Sequence, residues 1–234
     1  MDALLRVAGL VKGYGEGSAH VDVLRGIDIS LAQGELCALL GPSGSGKPTF
    51  LDLIGGLERA DAGSMLVDGT DFTSLSDRAL GEYRRCALGF VFQFYNLVED
   101  LTIRENIEVC QYLAEDPLDV GGLLRSLGLW DQRDKFPPQV SGGQQQRCSI
   151  GRALVKKPQL LLCDEPNGAL GYETSKEILA LIVDVCHKYG CTTVIVTHNA
   201  AIGEMATKCL HLREGQMVED KINPSPIPDR GFVW

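Results

Sequence analysis

The sequence predicts an α/β fold, a mainly parallel sheet with helices on both faces, and three patterns along the chain point to it. From Ser141 onward helical and strand patterns alternate: a helix to about Lys156, an apolar strand over 160–163, a helix over 172–188, a strand over 192–197, and short strands near Leu210 and Met217. Such alternation implies parallel strands joined by crossover helices. Upstream, the apolar run Leu36 to Leu40 feeds directly into a Gly-rich loop and then a helical pattern over 47–57. That order of strand, loop and helix is the setting of a phosphate-cradling loop. The third pattern is a β-rich start, with runs over 4–11 and 21–31 and the polar turn Ala32-Gln33-Gly34-Glu35 before Leu36.

The remaining segments are read by the same rules. A strand is expected over 64–67, a helix over 77–87 and a strand over 89–93. Residues 96–140 read as short helices separated by breakers at Pro117, Gly121-Gly122 and Pro137-Pro138, a candidate helical subdomain inserted in a single domain over 1–222. Pro224, Pro226 and Pro228 mark 223–234 as an extended or disordered, flexible tail. No internal repeat is present.

Composition removes several function classes. The formal charge of −9 argues against a nucleic-acid groove, because affinity for phosphodiester backbones comes from clustered Lys and Arg. A phosphate ligand must then be met by local geometry. No apolar run approaches the about eighteen residues of a membrane span, and the start lacks the basic and apolar regions of a signal peptide, so a cytoplasmic protein is expected, peripheral to a membrane only through a partner. The 8 cysteines of a chain of 234 residues without a signal peptide read as reduced thiols. Cys186-His187 with Cys191 has no second ligand pair at zinc-finger spacing, so packed cysteines are the expectation there.

The chemistry begins at Gly41-Pro42-Ser43-Gly44-Ser45-Gly46-Lys47, which fits G-x-x-x-x-G-K. Its glycines let successive backbone N–H groups turn inward on an anion, and the helix that follows adds partial positive charge at its N-terminus. Lys47 supplies a full charge for the β- and γ-phosphates of a nucleotide. The next position calls for Ser or Thr, whose hydroxyl ligates Mg²⁺; here it is Pro48. Proline removes the hydroxyl and one backbone N–H, and it disfavours helical backbone in the preceding residue, Lys47. In the first turn of a helix proline is well tolerated, so the loss is expected to fall on the ligand. Thr49 keeps a hydroxyl, but about 100° further around the helix.

Further on, the apolar residues Leu160 to Cys163 end in Asp164-Glu165. A buried strand delivering two carboxylates to its C-terminal edge suits metal-assisted phosphoryl transfer, with Asp164 on Mg²⁺ and Glu165 polarising the attacking water. Between loop and carboxylates lies Val140-Ser141-Gly142-Gly143-Gln144-Gln145-Gln146-Arg147, where Ser141 is a natural N-cap and the two glycines allow backbone to approach a phosphate. A lone phosphate-loop domain has no use for this second anion site.

That segment closely resembles the signature motif of the ATP-binding cassette (ABC) ATPases. The resemblance runs from about Leu5 to Asp220. It implies a phosphate-loop fold with an antiparallel β subdomain and an inserted helical subdomain. It also implies an ATPase in which Ser141, Gly142, Gly143 and Gln144 contact the ATP held by the opposite copy of a head-to-tail dimer. Tyr14 is similar to the family's adenine-stacking aromatic, Gln93 to the residue that approaches Mg²⁺ and the water, and His198 to the switch histidine that senses the γ-phosphate. Gln93-Phe94-Tyr95-Asn96-Leu97, Leu101-Thr102, Glu105-Asn106 and Asp164-Glu165-Pro166 with Gly168 are most similar to the lipoprotein-release, macrolide-export and cell-division branch. In that branch the subunit drives a membrane permease, which implies export or extraction, with the loop after Gln93 as the groove for the permease. Three positions depart from the family: Pro48, Asn167 where Thr or Ser is usual, and Gly171 where an aspartate links the two sites. These departures leave open a regulatory or scaffold subunit with impaired hydrolysis. A soluble ABC protein of DNA repair or translation is disfavoured by the lack of coiled-coil heptads, of a tandem cassette and of a basic surface.

Overall fold

The computed structural model describes residues 3–199 and 201–226. The chain forms two compact units, the first built from residues up to Arg84 and from Thr192 onward, the second from Arg85–Cys191.

The first unit opens with β1 (Ala3–Tyr14) and β2 (Val21–Ala32), antiparallel, with bulges where the register slips. Their inward residues, among them Leu5, Leu10, Leu24, Ile27 and Leu31, are fully buried, as period-two patterning requires of a sheet with one wet face. Next, β3 (Leu36–Leu40) buries every residue. α1 (Lys47–Ile54) follows the Gly-rich loop, and β4 (Ala62–Val67) and β5 (Thr70–Asp71) extend the antiparallel sheet in the order β2-β1-β4-β5. α2 (Asp77–Cys86) leads out of this unit, its Tyr83 ring edge-on to Phe72 at 4.2 Å.

In the second unit β6 (Leu88–Val91) pairs in parallel with β7 (Leu160–Asp164), Val91 lying opposite Cys163. Between them run α3 (Ile103–Gln111), α4 (Val120–Ser126) and α5 (Gly142–Leu154), with one-turn 3₁₀ segments at Trp130–Gln132 and Pro137–Gln139. Pro117 falls between α3 and α4 and Pro137-Pro138 open a 3₁₀ segment, whereas Gly121-Gly122, expected to separate helices, lie in the first turn of α4. α3 starts on a reciprocal cap between Thr102 and Glu105, and α4 on the Asp119 carboxylate, which accepts from Gly122 N–H. α6 (Tyr172–Tyr189) closes the unit and ends on Gly190 in the left-handed region.

The chain returns to the first unit through β8 (Thr192–Val196), α7 (Ala201–Met205), β9 (Lys208–Arg213) and β10 (Gln216–Ile222). Here β3 lies between β8 and β9, parallel to both, while β10 is antiparallel to β9. α7 and β5 escaped the sequence reading because segments this short show no periodicity. Asn223, at the head of the expected tail, donates its N–H to Thr207 O at 2.8 Å and its amide to Glu204 O at 2.9 Å. Residues 227–234 of that tail lie outside the described residues. All eight cysteines are free thiols, and burial pushes Cys37 and Cys163 well above the ordinary thiol range. No helix among the described residues is long and apolar enough to cross a membrane.

One buried side chain holds the connection from β6 to α3. Asn106 is 0% exposed. Its amide group donates to the carbonyls of Val98, Leu101 and Thr102 at 3.0, 2.9 and 3.0 Å, and its oxygen accepts from Val98 N–H at 2.8 Å. Asn106→Ala removes these four hydrogen bonds from a part-buried segment and is expected to cost about 3 kcal/mol in urea unfolding. A loss under about 1 kcal/mol would mean that the segment relaxes to solvent.

Candidate functional site

In the first unit the site is built at the C-terminal ends of β3 and β8, which parallel pairing brings to one edge: Leu39 lies opposite Val196, so Gly41 and His198 follow from neighbouring strands. Ligand sites of α/β sheets form at such edges. The loop from Gly41 turns into α1 at Gly46, whose φ of 101° and ψ of 9° are left-handed. A Cβ there would stand 2.8 Å from Leu24 Cδ2, so only glycine makes the turn. Lys47 is 5% exposed, and its Nζ donates to Gly41 O at 2.7 Å and Pro42 O at 2.9 Å. The cation thus closes the loop on its own carbonyls. Pro42, Ser43 and Gly44 are exposed at the loop tip, while Ser45 is buried with a hydroxyl that has no hydrogen-bond partner among the protein atoms. This cradle of backbone N–H groups ahead of a helix, beside a buried Lys and an orphan hydroxyl, fits a nucleotide phosphate.

The structure corrects one local expectation. Lys47 is helical although proline follows it, and Pro48 lies in the first turn of α1, exposed. Its ring meets no carbonyl of a preceding turn there, and the two Lys47 hydrogen bonds hold the residue that proline would otherwise push out of the helix. The Thr49 hydroxyl lies near that of Tyr14 and works to lower the phenol's pKa. Tyr14, 41% exposed, ends β1 with Lys12 Nζ 5.2 Å from its ring centroid and its hydroxyl donating to the Glu58 carboxylate. Burial, and then the Glu58 hydrogen bond, raise the phenol above its ordinary value. Glu58 was not foreseen, since nothing local in the sequence links it to Tyr14. His198 is exposed on a turn in which Asn199 N–H donates to Thr197 Oγ1 at 3.1 Å.

In the second unit the matching edge is that of β6 and β7. Asp164 ends β7, half-buried, and Glu165 follows in the left-handed region at φ 44°. Such backbone is costly for a non-glycine residue and collects at functional positions. Gln93 stands two residues past Val91, in a turn rather than in the strand expected over 89–93. A Cβ on Gly168 would stand 2.9 Å from Gln93 Nε2 and 3.4 Å from Glu165 Cβ, so the amide and the catalytic carboxylate candidate share one glycine neighbour. Among the described residues no group of three or more His, Cys, Asp or Glu could hold a metal alone. Mg²⁺ typically binds one or two carboxylates and completes its shell with substrate phosphate and water, so Asp164 fits that mode and position 48 offers it nothing.

The signature segment forms the start of α5. Ser141 is the N-cap, its Oγ accepting from Gln144 N–H at 3.3 Å while Gln144 Oε1 accepts from Ser141 N–H at 2.9 Å. Gln144 is therefore part of a reciprocal cap that pins the terminus. Gly143 packs so closely on α6 that a Cβ would lie 2.5 Å from Thr174 Cγ2. Downstream, Gly171 caps α6 with extended backbone and open space where a Cβ would go, so the missing aspartate is not a steric requirement.

Gly143→Ala is expected to cost about 1–3 kcal/mol by overpacking against Thr174. Adding Thr174→Ser, which deletes the opposing methyl, is expected to restore most of that loss in thermal unfolding. An additive double mutant would refute the packing account.

The ABC transporter family profile matches residues 24–168. The chain is 41% identical over 225 residues to the lipoprotein-releasing system ATP-binding protein LolD of Geobacter metallireducens, covering 94% of this chain and 100% of that protein. It is 41% identical over 236 residues to a macrolide export ATP-binding/permease protein, MacB 1, of Aeromonas hydrophila, covering 97% of this chain but only 36% of that protein. Among solved structures it is similar to a dimeric ATP-binding cassette, MJ0796, in a post-hydrolysis state bound to ADP and Pi. There the TM-score is 0.84, with 30% identity over 93% of this chain and 98% of that one.

Proposed function

This chain belongs to the ABC transporter family as an ATP-binding ATPase, and we propose that two copies close head to tail around ATP to drive a membrane permease in export or extraction. One observation carries the reading. The chain holds two glycine-opened helix N-termini, one behind Gly41–Gly46 and one behind Ser141–Gly143. A single nucleotide bound by one copy needs the first, and the second is free to serve the ATP of the partner copy. The dimeric state of the similar cassette with ADP and Pi supports this arrangement.

The roles follow residue by residue. The loop over 41–49 binds the phosphates through backbone N–H groups and Lys47, and Tyr14 offers an aromatic face for the base. Asp164 and Gln93 would hold Mg²⁺, whose chemistry is to neutralise charge developing on the transferred phosphoryl group. Glu165 accepts the proton of the attacking water, and His198 senses the γ-phosphate. The permease partner and the peripheral place on the cytoplasmic face of a membrane are supported by the LolD and MacB relatives.

A second reading is favoured by Pro48, exposed at the first turn of α1 where the family hydroxyl belongs. There the chain binds nucleotide and dimerises but turns over slowly, as a regulatory subunit. Pro48→Ser separates the two. If Pro48 limits turnover, the variant hydrolyses ATP with Mg²⁺ at least about tenfold faster than the parent chain. A change of less than about twofold would sink the lost-ligand account. In a Glu165→Gln background, absence of an ATP-dependent dimer in gel filtration would count against the head-to-tail model.

A further inference from the structure

The segment after β6 has an unusual backbone. Asn96 N–H donates back to Phe94 O, closing a three-residue turn. Tyr95 and Asn96 stand in the left-handed region at φ 54° and 50°. L-residues avoid that region, Tyr more than Asn, and two in succession persist only when their surroundings over-determine them. Much of that restraint comes from α5. Gln146 Nε2 donates to Phe92 O at 3.4 Å. Arg152 donates from Nη2 to Tyr95 O at 2.9 Å and from Nη1 to Asn96 O. At the other end of the same helix, a Cβ on Gly142 would lie 2.7 Å from the Tyr95 hydroxyl.

We propose that Arg152 is a positioning residue whose guanidinium, by gripping the carbonyls of Tyr95 and Asn96, sets Gln93 beside Glu165 and the Tyr95 ring against Gly142. One side chain then fixes the Gln93 turn and braces the anion-binding start of α5 together. The planar fork suits two successive carbonyls, which a single ammonium cannot span in the same way. The functional part of the proposal rests on the reading of Gln93 and Ser141–Gly143 as ATP-handling groups; the structural part does not.

The test uses the full chain with Arg152→Met, which keeps the aliphatic stem, and Arg152→Lys. Three measurements are made: amide hydrogen exchange, affinity of the monomer for a fluorescent ATP analogue, and ATP-dependent dimerisation in a Glu165→Gln background. Arg152→Met is expected to speed exchange across 93–98 at least about tenfold while β6, β7 and α6 stay as protected as before. Analogue affinity should change by less than about twofold, because the loop over 41–49 is untouched, while dimerisation weakens about tenfold or more. Arg152→Lys should recover part of both effects. Unchanged exchange over 93–98 overturns the proposal, as does exchange that rises equally through β6, β7 and α6, which marks a general loss of stability. Equal losses of analogue affinity and dimerisation overturn it too. If the Arg152 parent neither binds the analogue nor dimerises, the ATPase reading fails by itself, and the exchange data still decide whether Arg152 holds the turn.

Discussion

Parallel strand pairing is the constraint on which both halves of the chemistry depend. A strand in a parallel pair ends at the same edge as its neighbour, so whatever the sequence places just after each strand is delivered to one rim. β3 with β8 delivers the phosphate loop and His198, and β6 with β7 delivers Gln93, Asp164 and Glu165. These strands bury nearly all their side chains, which leaves them little freedom to slip register, since a slip of one residue would reverse every side chain. The candidate groups are therefore positioned by apolar packing several residues away from them.

α5 shows a second economy. Its start is built from Ser141 and two glycines, which on the proposed reading keep it open to an anion. A terminus of that composition is poor at holding itself, because glycine in a helix costs about 1 kcal/mol relative to alanine. The remedies are local and distant: the reciprocal cap with Gln144, the contact of Gly143 with Thr174, and the Tyr95 ring over Gly142. Two of these contacts fall on the glycines themselves, so residues that the proposed anion site needs small also serve packing.

What could be read from the sequence divides along the same physical line. The loop at Gly41–Lys47, the cap at Ser141 and the carboxylates at the end of β7 are contiguous patterns, set by a few neighbouring residues, and the structure places them on the expected elements. The Tyr14 hydroxyl on Glu58, Gln93 against Gly168 and Arg152 on Tyr95 and Asn96 join residues 44, 75 and 57 or 56 positions apart. No periodicity or spacing rule reports such approaches, because they arise only after the strands have paired. The pre-proline rule at Lys47 failed for a related reason. It describes an isolated dipeptide, whereas Lys47 is held by its own ammonium on Gly41 and Pro42.

At Pro48 folding and chemistry make different demands. The second residue of a helix has no intrahelical acceptor for its N–H, so folding is nearly indifferent to proline there. α1 forms, Gly46 keeps its left-handed turn, and Lys47 stays buried on the loop. On the proposed reading the chemistry is not indifferent, because the hydroxyl and the N–H that proline lacks would both face the phosphate and the metal. In the proposed head-to-tail dimer, the remaining backbone N–H groups and Lys47 would still favour closure on the phosphates, while hydrolysis, which would end the closed state, would lack one metal ligand. A slower exit would lengthen the time spent closed, and if a membrane partner reads the closed shape, that dwell time would be the output.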